Sequence, residues 1–222
     1  MGCGEDKIST EENAFVTSVE SELWSPLPCT QVETAFYKSM REGQLSIDKL
    51  AKLSKSLGLR FPPALLSALT LDQVVDIDRL FRLVLLLSVG TTLEKGAALW
   101  DWQDAAGSEE MSKGQVEAFI VALTNSALDY VSPLVGAEPQ IGKQRLETWL
   151  GVLRSKKGKY AKDMANLYLN GGEKVQKHQF LSVLRANAQA DVTNPTIIRS
   201  RLEEIKAIPP KFANAFSARA PL

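Results

Sequence analysis

The segment from Leu99 to Gln115, with the sequence LWDWQDAAGSEEMSKGQ, concentrates oxygen-bearing side chains. The side chains that could ligate a metal ion are those of Asp101, Gln103, Asp104, Glu109, Glu110, Ser112 and Gln115. Carboxylate, amide and hydroxyl oxygens are the ligands of hard cations such as Ca²⁺, which takes six to eight of them. The chemistry that this segment could perform is therefore calcium binding in a loop.

The end of this segment argues against a bound ion. The common calcium loop has twelve residues, and its last residue is a Glu that gives two oxygens. When Asp101 is taken as the first ligand, Gln115 stands in the place of that Glu, and the loop is three residues too long. A neutral amide supplies one oxygen and no charge. We therefore expect no cofactor, with a calcium site in this loop as the alternative.

The elements that must position these residues are helices. Apolar residues recur at spacings of three and four along most of the chain, which predicts an all-α fold. One unit occurs four times: an apolar helix, a polar loop, a single apolar residue and a second apolar helix. The single apolar residues at the loop ends are Leu45, Val75, Met111 and Val175.

This repeat resembles the EF-hand superfamily, and in particular the recoverin-like and calcineurin B-like calcium sensors. The resemblance covers about residues 30–188 and implies four helix-loop-helix units that pair into two lobes, each with an apolar groove. It implies that Leu45 faces Val75, and that Met111 faces Val175, across short two-stranded ribbons. Four degenerate EF-hand-like units with an inserted helix and a C-terminal helix are therefore expected.

The other three loops lack the ligands that calcium requires. The first loop begins at Lys38 and ends at Lys49, so ammonium groups replace carboxylates at both ends. The second loop, about residues 68–79, ends in Arg79. The fourth loop, about residues 168–179, ends in Gln179. All three are expected to bind no metal.

The pattern divides the chain into four parts. Residues 1–28 are predicted to be a flexible, acylated tail, and residues 29–90 to form the first EF-hand-like pair. Residues 91–190 are predicted to form the second pair, with an inserted helix at about residues 139–157. Residues 191–222 are predicted to be a C-terminal helix and tail.

The N-terminus, MGCGEDK, indicates lipidation. Gly2 could accept a myristoyl chain after removal of Met1, and Cys3 could accept a palmitoyl chain. One myristoyl chain binds membranes only marginally, so a second acyl chain on Cys3 would be needed for a stable tether. We expect a lipid-anchored protein on the cytoplasmic face of a membrane, either the plasma membrane or a flagellar membrane.

Composition excludes several other functions. Lys and Arg together number 26, as do Asp and Glu, so no net positive charge favours nucleic acid as a ligand. The single histidine, His178, has no candidate nucleophile near it in sequence, and no phosphate-binding or zinc-binding motif occurs. The chain is therefore expected not to be an enzyme.

The resulting hypothesis is a membrane-tethered adaptor that binds a protein partner, an amphipathic helix, in an apolar groove without calcium. The alternative is a calcium-responsive sensor with a site in the third loop. The inserted helix and the C-terminal helix could each fill a groove themselves, or simply pack in the core. Residues expected to line the grooves are Phe36, Leu53, Phe81, Trp100, Phe119, Trp149 and Phe180.

Overall fold

The computed structural model describes residues 10–23, 27–41, 45–71, 74–135 and 141–205. In the first half the elements are α1 (Glu11–Leu23), α2 (Cys29–Arg41), α3 (Ile47–Leu57), α4 (Pro63–Leu69), β1 (Thr70–Leu71), β2 (Val74–Val75) and α5 (Ile77–Leu87). In the second half they are α6 (Thr92–Gln103), β3 (Glu110–Ser112), α7 (Lys113–Leu128), α8 (Val131–Val135), α9 (Lys143–Leu169), β4 (Lys174–Gln176), α10 (Lys177–Ala186) and α11 (Pro195–Glu204). The fold is all-α with two short ribbons, as the apolar spacing predicts.

Both expected ribbon contacts are present. In the second half, β3 and β4 are antiparallel and Met111 lies opposite Val175. In the first half, Ser46 bridges Val74, and the Val75 amide donates to the Leu45 carbonyl at 2.9 Å, which places Leu45 opposite Val75. The predicted pairing of these four residues is confirmed. All four side chains are buried and belong to the hydrophobic core.

Local hydrogen bonds fix where several helices begin and end. Ser46 caps α3, whose end is set by Gly58 in the left-handed conformation at φ 67°. Thr91 and Glu94 form a capping box at the start of α6. Asn194 caps α11, with Pro195 in the first turn, where a missing amide proton costs nothing.

Helix α6 joins the two halves through two tryptophans. Trp102 packs into the first half, where its ring stacks on Phe81 with the centroids 3.9 Å apart. Trp100 packs into the second half, with its ring centroid 5.2 Å from that of Phe180. Side chains two residues apart on a helix point in very different directions, so one helix contributes to both halves of the core. A tryptophan beside the acidic loop would be expected to be partly exposed, but Trp102 is buried, with 8% exposure.

The N-terminal segment differs from its prediction. Residues 11–23, expected within a flexible tail, form helix α1, which packs against α8 and α11. Val16 is buried, and so is the polar side chain of Asn13. The Asn13 amide donates to the Thr196 carbonyl and the Ser200 hydroxyl. Part of the buried face of α1 is polar, so the helix has only a weak apolar stripe. The sequence pattern therefore does not predict it.

The predicted inserted helix at about residues 139–157 is also longer than expected. Helix α9 runs without a break from Lys143 to Leu169, so the insertion and the helix that enters the fourth loop are one element. It packs on α7 and α11 through Leu146, Leu150 and Leu153, all buried. Helix α11 packs on both α7 and α9, and its residues Ile198 and Leu202 are buried. Helices α7, α9 and α11 therefore pack against one another.

Within the described residues, one stretch has the length and composition of a membrane-crossing helix. It is Lys113–Val135, which comprises α7 and α8. More than half of this stretch is buried inside the fold. The core helices of globular domains share this composition, so the match alone does not identify a span.

Candidate functional site

The acidic loop begins one helical turn later than the sequence suggests. Helix α6 continues through Asp101 and ends at Gln103, and Asp104 is its C-cap. Counted from Asp104, the loop reaches Gln115 in twelve residues, the standard length. Asp101 is therefore not the first residue of the loop, as the sequence suggests, but part of α6. The loop has no three extra residues. Met111 then occupies the eighth place, in the ribbon.

Asp104 organises the turn of this loop. Its carboxylate accepts hydrogen bonds from the Ser108 amide at 3.0 Å, the Ser108 hydroxyl at 2.7 Å and the Glu109 amide at 2.7 Å. The bond from the Ser108 hydroxyl lowers the pKa of this carboxyl group, and the two amides act in the same direction against desolvation. Glu109 adopts φ 57°, the left-handed conformation that the common loop reserves for Gly at this place. The turn keeps its shape without that glycine.

Lys177 supplies the cation of this region. Its ammonium group lies 2.5 Å from Asp101 Oδ1 and 3.8 Å from Glu109 Oε1, and its backbone amide donates to the Glu109 carbonyl. The hydrogen bond to Asp101 raises the pKa of Lys177, as do the charges of Asp101, Glu109 and Asp104, while desolvation opposes the shift. The positive charge needed beside these carboxylates therefore comes from a side chain.

The residue in the twelfth place of each second-half loop caps the helix that follows. Gln115 Oε1 accepts from the Ser112 amide and the Ser112 hydroxyl, both at 2.8 Å. In the fourth loop, Gln179 Oε1 accepts from the Gln176 amide at 3.0 Å. Each amide oxygen thus satisfies a backbone donor at a helix start instead of facing the loop.

The other two candidate ligands point elsewhere. Gln103 is exposed at the end of α6, and Glu110 pairs with Lys174 at 2.7 Å across the ribbon. In the part of the chain that the structure describes, no group of three or more His, Cys, Asp or Glu side chains is placed to hold a metal ion. The polar side chains of this loop therefore bond to the loop backbone or to Lys177, and they do not converge on one point.

Replacing Lys177 by methionine is expected to lower the free energy of unfolding by about 1 kcal/mol, because Asp101 loses a partly buried charged partner. The pKa of Lys177 is higher in the folded than in the unfolded chain. The protonated side chain therefore contributes its full free energy of stabilisation to the fold below about pH 10.4, and this contribution is lost only as the pH rises through the folded-state pKa. The Lys177→Met effect should therefore be equal at pH 6.5 and pH 8 in urea unfolding.

Lys174→Met is the matched control for Lys177→Met, since the Lys174–Glu110 pair is more exposed. We expect a loss of about 0.5 kcal/mol or less for this control. Equal effects of the two substitutions would show that Lys177 is an ordinary surface lysine.

The residues expected to line the partner grooves lie in the core. Phe36, Leu53, Phe81, Trp100, Phe119 and Phe180 are all buried, with no more than 6% exposure. Trp149 is half-buried, and its indole donates to Glu203 at 2.9 Å, which ties α9 to α11. The structure therefore brings none of these side chains together in an open groove, because neighbouring helices of the same chain cover them.

An open apolar groove lies elsewhere, between α3 and α4. Its volume is about 580 Å³, and its walls are Ile47, Leu50, Ala51, Ser54, Phe61, Leu66, Ser67 and Thr70. Helix α3 packs on α2, whereas α4 packs on α8, and the groove lies between these two helices. The hydroxyls of Ser54 and Thr70 donate to carbonyls of their own chain segments, which leaves the walls apolar.

The mouth of this groove carries exposed apolar side chains. Ile47 is 48% exposed at the start of α3, and Val74, 37% exposed, lies on the ribbon strand that Ser46 bridges. Ile47 is itself one of the residues that line the groove, so its exposed apolar side chain is continuous with the groove walls. The sequence does not indicate this surface, because Ile47 belongs to the apolar stripe of α3 and such a stripe usually marks a buried helix face.

The candidate lipidation residues, Gly2 and Cys3, lie outside the described residues. No family model matches the chain, and no curated protein or solved structure matches it significantly.

Proposed function

We propose that this protein is a non-catalytic, membrane-tethered adaptor that binds an amphipathic helix of a partner protein in the groove between α3 and α4. The observation that carries the proposal is the open, apolar groove with Ile47 at its mouth. Exposed apolar surface is unfavourable in water, and a continuous patch of it is characteristic of interaction sites. A groove between two helices fits the side chains of a third helix at spacings of three and four residues.

We further propose that the fold consists of degenerate EF-hand-like units. Support comes from the antiparallel contacts between loops, Leu45 with Val75 and Met111 with Val175, from the twelve residues between Asp104 and Gln115, and from the left-handed turn at Glu109. The internal ion pair of Lys177 with Asp101 supports a role that does not depend on calcium. In this proposal packing, not an ion, holds each unit in its conformation.

A non-catalytic role is supported by the placement of reactive side chains. His178 is exposed on α10, and Cys29 is buried beside Gly90. Burial raises the pKa of the Cys29 thiol, and the charge of Glu94 acts in the same direction, which disfavours the nucleophilic thiolate.

The membrane tether is proposed from Gly2 and Cys3. Gly2→Ala replaces the N-terminal glycine that myristoylation requires and is expected to move most of the protein from the membrane fraction to the soluble fraction of cells. Cys3→Ser should have a similar but smaller effect, since one acyl chain then remains. Unchanged fractionation of Gly2→Ala would contradict the tether.

Groove binding is tested with Ile47→Asp. Peptides of about 16 residues with helical apolar spacing are selected by phage display against the wild-type chain, and their affinities are measured by fluorescence anisotropy. Burial of an Ile side chain stabilises by about 1.5–3 kcal/mol, so Ile47→Asp should weaken binding by about ten- to a hundredfold. Ile47 is the first residue of α3, where a carboxylate favours the helix, so the variant should fold.

Val152→Asp is the matched control for Ile47→Asp. Val152 has similar exposure, 45%, but lies on α9, away from the groove. It should leave peptide affinity unchanged. If no selected peptide distinguishes Ile47→Asp from Val152→Asp, the groove is not the binding site.

A further inference from the structure

Helix α8, five residues from Val131 to Val135, packs against two helices that serve different parts of the molecule. One is α4, which forms a wall of the α3–α4 groove through Leu66 and Ser67. The other is α1, whose first residue, Glu11, lies eight positions after the proposed lipidation site Cys3. Helix α8 is therefore in contact with both a wall of the groove and the helix that leads to the proposed tether.

Helix α4 depends on α8 for its position. It has seven residues, and Pro62 at its N-cap provides no side-chain hydrogen bond. So short a helix has little stability of its own, and packing against its neighbours must hold it. Its buried residues are Leu65 and Leu69, and α8 is the helix against which it packs most extensively. A shift of α8 would therefore move the groove wall.

Polar side chains make several of the contacts that dock α1. Glu20 pairs with Arg199 of α11 at 2.7 Å, and Asn13 donates to a hydroxyl of α11 at 2.9 Å. Among the apolar residues of α1, Val16 is buried but Phe15 is only partly buried. When α1 leaves, water reaches the polar groups and replaces their hydrogen bonds. Release of α1 therefore costs less free energy than unfolding of the core.

Arg199 links the docking of α1 to the segment that leads into α8. Besides pairing with Glu20, it donates to the Ala127 carbonyl near the end of α7, four residues before α8 begins. Helix α8 also has an anchor that does not involve α1, because the Ser132 hydroxyl donates to Glu147 of α9. We therefore expect α8 to shift, and not to unfold, when α1 is released.

We propose that the docking of α1 on α8 and α11 regulates the α3–α4 groove: the groove binds its partner helix tightly when α1 is docked and weakly when α1 is released. This inference rests on the proposed function. With α1 docked, α8 is fixed and supports α4 as a wall of the groove. With α1 released, α8 and α4 shift, and a partner must order α4 as it binds, which lowers the affinity.

The first test uses the wild-type chain, because coupling between two sites is reciprocal and a bound peptide must strengthen the docking of α1. Hydrogen exchange is followed by mass spectrometry with and without a saturating amount of the helical peptide selected by phage display. We expect the amides of α1 to exchange about tenfold more slowly with the peptide bound. The β3–β4 ribbon, which packs on α7, α9 and α10, is the control and should exchange at an unchanged rate.

The second test releases α1 by the double substitution Val16→Asp/Glu20→Lys, which buries a carboxylate and places a cation beside Arg199. In fluorescence anisotropy the same peptide should bind this variant about tenfold more weakly than the wild-type chain. Ala14→Asp/Ser21→Lys is the matched control, because it introduces the same side chains at exposed positions of α1, and it should leave the affinity unchanged. If circular dichroism shows that Val16→Asp/Glu20→Lys loses more helix than α1, the exchange experiment alone decides.

The outcomes separate this inference from groove binding. Binding that is lost in Ile47→Asp but equal in the wild-type chain and Val16→Asp/Glu20→Lys, with α1 exchange unchanged by the peptide, overturns regulation by α1 and leaves groove binding intact. Tighter binding to Val16→Asp/Glu20→Lys also overturns it, because α1 would then oppose binding in the groove. No binding of any peptide, or binding that Ile47→Asp leaves unchanged, overturns groove binding and its regulation together.

Discussion

Arg199→Ala is expected to lower the free energy of unfolding by about 3–5 kcal/mol, a large part of the stability of a typical domain. Arg199 is fully buried on α11, and its guanidinium group pairs with both carboxylate oxygens of Glu20 on α1 at 2.7 Å. Its Nε donates to Asn13, and Nη1 donates to the Ala127 carbonyl. Alanine would leave a buried carboxylate and two polar groups without their partner.

Urea unfolding followed by circular dichroism measures this loss, and two further variants test its cause. Arg199→Lys keeps the charge but not the paired geometry, so its effect should be intermediate. The double variant Arg199→Met/Glu20→Leu removes both charges and should be more stable than Arg199→Ala. A loss below 1 kcal/mol for Arg199→Ala would mean that α1 does not dock on α11 as described.

Trp102→Ala should also cost about 3–5 kcal/mol of unfolding free energy. Its ring stacks on Phe81 and meets Tyr37, with ring centroids 5.5 Å apart, and its indole donates to Asp78 at 2.9 Å. Removing the ring would leave a large cavity where α2, α5 and α6 meet. The two halves of the core would then lose part of their shared packing.

Two substitutions serve as controls for Trp102→Ala in the same unfolding experiment. Trp102→Phe keeps an aromatic ring and loses the indole hydrogen bond, and should cost about 1–2 kcal/mol. Trp149→Ala removes the same side chain from a half-buried place on α9 and should cost less than Trp102→Ala. Similar losses at Trp102 and Trp149 would contradict the central role of the stack on Phe81.

The parts of the fold that depend on neighbouring residues are predictable from sequence. The capping box of Ser112 with Gln115, the stop at Gly58 and the start at Asn194 are all present. Each depends on hydrogen bonds or backbone angles within a few residues, which the sequence displays directly. The pairing of Met111 with Val175 follows from the repeated unit, because each loop ends in one apolar residue.

The parts that depend on distant residues are not predictable in this way. The loop starts at Asp104 and not at Asp101 because α6 continues far enough to place Trp102 on Phe81. Basic residues are common in the last turn of a helix, so the run RSKKGK at residues 154–159 would predict a helix end. Lys156 and Lys157 instead donate hydrogen bonds to α11 and α7, and α9 continues.

The open groove could not be located from sequence for the same reason. The groove exists because α3 packs on α2 whereas α4 packs on α8. The local sequence pattern does not indicate which helices pack together. Phe36 and Phe81 are expected to line a groove because they are large and apolar. Large apolar side chains are also the ones most often buried in the core, so size and hydrophobicity do not distinguish groove residues from core residues.

The docking of α1 on α11 has a consequence for the order of folding. Asn13 and Ser200, which share a hydrogen bond, are 187 residues apart in the chain. Closing so long a loop is entropically costly, and contacts of this kind form after local ones. Helix α1 should therefore join a structure that is already folded. Because α1 is held partly through polar bonds and by residues distant in sequence, it should also be among the first elements to exchange its amide protons with solvent.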